Sequence, residues 1–205
     1  MFHHSFEPPE FRAMNLIANR TGALIWAAFL PPGIRLRRAT PMDRAVRAMF
    51  FAEMRAPERE WAITMADSTW DSFVTDQFHL REGHYARLYP DADVMMIEAR
   101  GGAGGRFAVV GTVTVALANA SDGRRIARLV TIEIDTASRG RGIGTQVIEA
   151  VIKSARLQGL SEMQLSVAFT NTRAMQLYRR LGFQPDASIE DADLSPVLDM
   201  TRSLV

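Results

Sequence analysis

The residues best suited to chemistry lie in two short runs. The first is Arg139-Gly140-Arg141-Gly142-Ile143-Gly144-Thr145, between a candidate strand and an amphipathic helix. Its three glycines let the backbone approach a ligand closely and take positive φ without strain. The first turn of the helix that follows carries unpaired N–H groups and the positive end of a dipole, which suit phosphate oxygens. Arg139 and Arg141 add fixed positive charge beside it. The run lacks the spacing of a dinucleotide fingerprint, because Val147 stands where a third glycine is needed after Gly142-Ile143-Gly144. It also lacks the Gly-Lys-Ser/Thr of a Walker loop.

The second run is Asn171-Thr-Arg-Ala174-Met-Gln-Leu177-Tyr178-Arg-Arg-Leu181-Gly182-Phe183. Asn171 suits a helix N-cap, and Leu181-Gly182 suits the helix end. Read alone, it is an ordinary amphipathic helix with Tyr178 as a half-buried aromatic. Tyr178 also offers a phenol with a reference pKa near ~10, close to that of a thiol, and so a group able to protonate a leaving thiolate.

Together the runs resemble the two-part signature of the GNAT N-acetyltransferase superfamily. Arg139-x-x-Gly142-x-Gly144 is similar to its Arg/Gln-x-x-Gly-x-Gly/Ala motif. Residues 171–183 are similar to its Asn-x-x-Ala-x-x-x-Tyr-x-x-x-Gly-Phe segment. The resemblance implies an α/β (α+β) fold with a mixed central sheet of six to seven strands flanked by about four helices. In that fold a splayed pair of parallel strands binds acetyl-CoA. It implies that Arg139, Gly140, Arg141, Gly142, Ile143, Gly144 and Thr145 hold the coenzyme A pyrophosphate, and that Asn171 and Ala174 lie along the coenzyme. Tyr178 is implied as the general acid. Backbone groups of Ile132 and Ile134 are implied contacts of the pantetheine arm, one of them a donor to the oxyanion, where a preorganised N–H is most effective.

The base is less determined. Glu133 and Asp135 are expected on one face of a strand, and either could take a proton directly or through water. Glu133 is the first choice, and a solvated strand face is the plainer alternative. Some family members carry a carboxylate earlier on this strand, where this chain has Arg128 and Leu129.

These residues need elements to position them. Ile34–Ala39 alternates as a strand, and Thr40-Pro41-Met42-Asp43 opens a helix running to about Arg55. A second helix spans about 68–88, with Trp70, Phe73, Phe78, Tyr85 and Leu88 roughly on one side. Those aromatics suit core by their spacing and could otherwise line an acceptor pocket. Glu53, Arg55 and Glu58 add polar groups near the end of the first helix. Strands follow at 94–99, 107–117 and 128–135, joined by turns at 101–105 and 119–123. Ile143, Val147, Ile148, Val151, Ile152 and Ala155 then mark a helix over 143–157. A strand through Met163, Leu165 and Val167, a short helix from Asn171 and a last strand within 196–204 complete the order. The domain is thus 34–205, and 1–33 is an extension of unassigned role, set off by Pro31-Pro32-Gly33.

The chain has 205 residues, is 47% hydrophobic and 23% charged, and has net charge +1. Nothing global points to nucleic acid or a membrane surface. The absence of cysteine excludes disulfides, thiolate metal sites and cysteine nucleophiles, and fits a cytoplasmic location. The four histidines have no ligand spacing, so no metal is expected. The apolar run Ala23–Leu30 is far short of the ~20 residues of a membrane span. The expected activity is transfer of an acetyl group from acetyl-CoA to a primary amine on a small molecule or protein. A non-catalytic acyl-CoA-binding regulatory module and a nucleotide-binding protein of another class are the alternatives. A homodimer through the C-terminal strands is an open expectation.

Overall fold

The computed structural model describes residues 27–101, 105–120, 122–186 and 196–205. Its strands are β1 (Ile34–Arg38), β2 (Asp93–Arg100), β3 (Phe107–Asn119), β4 (Arg125–Ile134), β5 (Glu162–Ala168), β6 (Gln184–Pro185) and β7 (Val197–Ser203). Its helices are α1 (Arg44–Arg55), α2 (Asp67–Leu88), α3 (Ile143–Leu157) and α4 (Thr172–Arg180). The strands form one seven-stranded sheet in the order β1-β2-β3-β4-β5-β7-β6. β4 and β5 are parallel, and every other pair is antiparallel. This is the expected mixed sheet with four helices.

Side-chain alternation explains the layers. Met163, Leu165 and Val167 point to one face of β5, where Val147, Ile148, Val151 and Ile152 of α3 are buried with them. Each such aliphatic side chain taken fully out of water contributes ~1.5–3 kcal/mol before its entropy cost. Tyr178, Leu181 and Phe183 join the same core, so α3 and α4 cover one face. On the other face Phe51 of α1 meets Val74 and Phe78 of α2 in a smaller cluster, with the Phe51 and Phe78 rings 5.8 Å apart.

Several expectations are refined. The helix entered at Thr40 begins with a 3-10 turn, Pro41–Asp43, and α1 starts only at Arg44. Asp43 is the reason. Its carboxylate accepts the Thr40 N–H at 2.7 Å and two Arg37 N–H groups at 2.8 and 2.7 Å. These donors hold its carboxyl far below the usual carboxylate range. The aromatics of α2 do not share one environment: Phe78 is buried, whereas Phe73 is 37% exposed. The strand expected at 128–135 begins at Arg125 and ends at Ile134, and the two-residue β6 had no sequence signal.

Residues 1–26 of the extension, and 102–104 and 121 of the two turns, lie outside the described residues. The end of the extension docks. Leu30 packs against the main core, and Gly33 O accepts the Arg100 N–H at 2.9 Å. No helix among the described residues is long and apolar enough to cross a membrane.

Candidate active site

The sheet forks. β4 and β5 pair only from Ile126–Glu162 to Leu129–Leu165, and beyond that β4 pairs with β3 alone while β5 pairs with β7 alone. A bulge marks the same place, since Thr114 and Val115 of β3 oppose Thr131 and Leu129, leaving Val130 extra. The Asp135 N–H bonds Val110 O at 2.9 Å. Alternation along an antiparallel pair then turns the backbone of Glu133 and Thr131 toward β3, and that of Ile132 and Ile134 toward the gap. Ile134 O accepts Arg139 Nε–H at 2.9 Å, which leaves the Ile132 groups open in the fork.

The glycine run sits at the mouth of this fork. Gly142 has φ +77° and caps α3, whose first helical bond is Gln146 N–H to Gly142 O at 3.0 Å. The N–H groups of the turn before it are therefore without helical acceptors. Gly144 approaches β4 closely; a Cβ there would lie 3.8 Å from Ile134 Cγ1 and 4.0 Å from Ile132 Cδ1. Arg139, Gly140, Arg141 and Gly142 are exposed, and Gly144 and Thr145 are half-buried. The Ile143 side chain is buried in the core, so only its backbone can face a ligand.

Asn171 caps α4, accepting the Ala174 N–H at 3.1 Å. Ala174 is half-buried against the core. Tyr178 is 8% exposed, and its ring meets Phe183 edge-on at 5.9 Å. Among the described residues its hydroxyl has no hydrogen-bond partner. Burial alone pushes this phenol up to about 12.

The sequence expectation for the base is corrected in part. Of Glu133 and Asp135, only Glu133 lies within β4. Asp135 lies beyond β4 and accepts the Ser138 N–H at 2.6 Å, capping a 3-10 turn at Thr136–Ser138. Nor is Glu133 on a solvated face. Its side chain is 4% exposed, Arg81 of α2 donates to Oε1, and Oε2 is buried without a partner among the described residues. Arg81 itself lies over the Phe51 ring at 4.3 Å. Glu53 binds the turn after β4, accepting Thr136 N–H at 2.8 Å, and Arg55 pairs with Glu58 at 2.5 Å.

The same face holds groups that sequence reasoning did not single out. Arg128 is 6% exposed and donates to Ser166 Oγ at 2.5 Å and Asp199 Oδ1 at 3.3 Å. Ser166 in turn donates to Asp199. Tyr85 of α2 and Tyr89 at its C-terminal cap border this cluster, and burial pushes both phenols up from 10. The only sequence signal was negative: an arginine at a place where some relatives carry a carboxylate.

Residues 53–183 match the family model described as Acetyltransferase (GNAT) family. Among solved structures, the fold is similar to an acetyltransferase from Thermus thermophilus, at 20% identity over 85% of this chain and 99% of that chain, TM-score 0.56. It is also similar to the PaiA N-acetyltransferase of Thermoplasma acidophilum in complex with coenzyme A, at 14% identity over 83% and 98%, TM-score 0.52. A spermidine N-acetyltransferase SpeG chimera from Vibrio cholerae and hSSAT aligns at 17% identity over 84% and 96%, TM-score 0.54. At these identities the likeness is one of fold. No curated protein matches the chain in sequence. With more than half of its residues matched to the family model, the chain belongs to the GNAT acetyltransferase family.

Proposed function

We infer that the protein is an N-acetyltransferase that moves the acetyl group of acetyl-CoA onto a primary amine by direct attack. The observation that carries this reading is the fork between β4 and β5 with the glycine cradle at its mouth. The residues fit the donor. The first turn of α3 offers N–H groups, Arg139 and Arg141 offer charge, and Ile132 offers an unpaired strand edge for an extended arm. When bound, the donor supplies an activated acyl group.

The chain's own groups then divide the work. The cradle from Arg139 to Thr145 binds the pyrophosphate, and Asn171 and Ala174 border the arm from α4. An N–H of β4 facing the gap stabilises the developing oxyanion. Tyr178, neutral at any working pH, gives its proton to the departing sulfur. The ammonium of the acceptor must lose a proton on the opposite face, where Glu133 is one carboxylate and Asp199 another. The acceptor is a small amine or an amine of a protein.

A second reading, a non-catalytic acyl-CoA-binding regulatory module, draws on one observation: Glu133 is engaged by Arg81. Calorimetric titration with acetyl-CoA tests the binding half. Micromolar binding in the parent and none in Gly142→Asp/Gly144→Asp is the expected result. Absence of binding to the folded parent would sink the transferase reading. A screen of amines against the parent and Tyr178→Phe then separates the two readings, because a regulatory module turns over no acetyl-CoA.

A further inference from the structure

The amine side of the fork carries a carboxylate far from β4 in sequence. Asp199 of β7 pairs in register with Ser166 of β5. Ser166 is the first β5 residue beyond the last β4 partner, Leu165. Leu165 and Val167 point into the core beneath α3, so Ser166 points to the opposite face, and Asp199 beside it does the same. The donor cradle lies toward α3, and this face lies toward α2. An amine entering opposite the donor therefore meets Ser166 and Asp199.

Position along the fork decides between the two carboxylates. From Val130 to Ile134 the open edge of β4 spans about 13 Å at the usual strand rise. A donor anchored by its pyrophosphate at the mouth and extended along this edge carries its thioester toward the apex. The apex is where Arg128, Ser166 and Asp199 meet. Glu133 lies one residue from the end of β4, near the mouth.

Accessibility points the same way. Glu133 Oε2 is sealed from solvent, and its carboxylate is held by Arg81. Asp199 uses Oδ1 for both Ser166 and Arg128. Its Oδ2 has no partner among the described residues and is not among the sealed atoms. The charged and titratable groups facing Asp199 are Arg128 from β4 and Tyr89 from the C-terminal cap of α2, with Tyr85 behind it. Arg128 places a cation 3.3 Å from this carboxylate in a partly buried place.

Resting on the transferase reading, we propose that Asp199, oriented by Arg128 and Ser166, takes the proton from the acceptor ammonium. One ammonium proton passes to Asp199 Oδ2, and the freed nitrogen lone pair forms the C–N bond. The C–S bond breaks, and its electron pair takes the Tyr178 proton to leave free thiol. Of the second nitrogen proton and the Asp199 proton, one returns to the Tyr178 phenolate and the other is lost to water, which restores both groups. The net change is ammonium plus thioester to amide, thiol and one proton.

The test uses two amines whose need for a base differs. Propylamine is an ammonium at pH 7.5, whereas hydroxylamine is uncharged there. Acetyl-CoA turnover is read as thiol release, and acetyl-CoA binding is read by calorimetry. Asp199→Asn should lose about 100-fold in kcat/KM with propylamine. It should lose only a few-fold with hydroxylamine and bind acetyl-CoA as the parent does. Ser166→Ala should shift the propylamine rate in the same sense by about tenfold, and it answers the question if Asp199→Asn does not fold. Equal losses with both amines would mean a structural role and overturn the proposal. So would parental propylamine turnover in either variant, or a propylamine loss confined to Glu133→Gln. A parent that binds no acetyl-CoA would remove the transferase reading itself, a failure distinct from a parent that turns over but ignores Asp199.

Discussion

Arg81 and Glu133 form an ion pair between α2 and β4 in which the side chains are 16% and 4% exposed. Two charges this far from water attract strongly but have lost their hydration, so the pair is worth little against a good apolar substitute. Breaking it on one side is costly. Here the cost is sharpened because Glu133 Oε2 already lacks a partner.

Removing the cation alone should therefore be the damaging change. Arg81→Met should lose about 3–5 kcal/mol in urea unfolding, and Arg81→Met/Glu133→Leu should recover most of it. A single variant within about 1 kcal/mol of the parent would show that the pair is hydrated in solution.

The two glycines of the cradle should differ. Gly142 has φ +77°, where an L-residue is strained, so Gly142→Ala should cost about 1–2 kcal/mol. Gly144 has ordinary helical geometry, and a methyl there would make normal contacts at 3.8 and 4.0 Å. Gly144→Ala should therefore leave unfolding stability level or raise it by up to about 1 kcal/mol. Chemical denaturation of both variants checks the contrast, and a reversed order would contradict the cap geometry.

The tyrosines give a pH prediction. The chain has three, Tyr85, Tyr89 and Tyr178, and burial pushes all of them up from 10, Tyr178 to about 12. Below pH 10 a phenol is neutral folded or unfolded, so no linkage arises. Above it the unfolded chain loses the proton first, and stability falls as pH rises toward the folded value. For Tyr178 the full loss is on the order of 3 kcal/mol. Phenolate absorbance of the folded protein should stay low through pH 10, and Tyr178→Phe should show a shallower fall in stability between pH 10 and 12. Phenolate forming near 10 while the protein remains folded would contradict the burial.

Much of this protein can be read from spacing alone, and what can be read is local. Positive φ at Gly142, the cap at Asn171 and the buried stripe of α3 each depend on residues a few positions apart, so the chain declares them without its fold. The seven strands are nearly all declared in the same way, except β6, whose two residues are too few for any alternation to register.

Which carboxylate meets an amine is a different kind of question. Asp199 comes beside Arg128 only because β5 pairs with β4 on one side and β7 on the other, across 71 residues of sequence. Glu133 stood out because it lies close to the motif, yet α2 covers it with Arg81 from 52 residues away. By itself the sequence determined the glycine turn before α3 and the helix that carries Tyr178, because backbone conformation and capping are set by near neighbours. Only the tertiary structure decided which charges are sealed and which stay open, because burial and pairing are properties of faces that distant strands and helices build together.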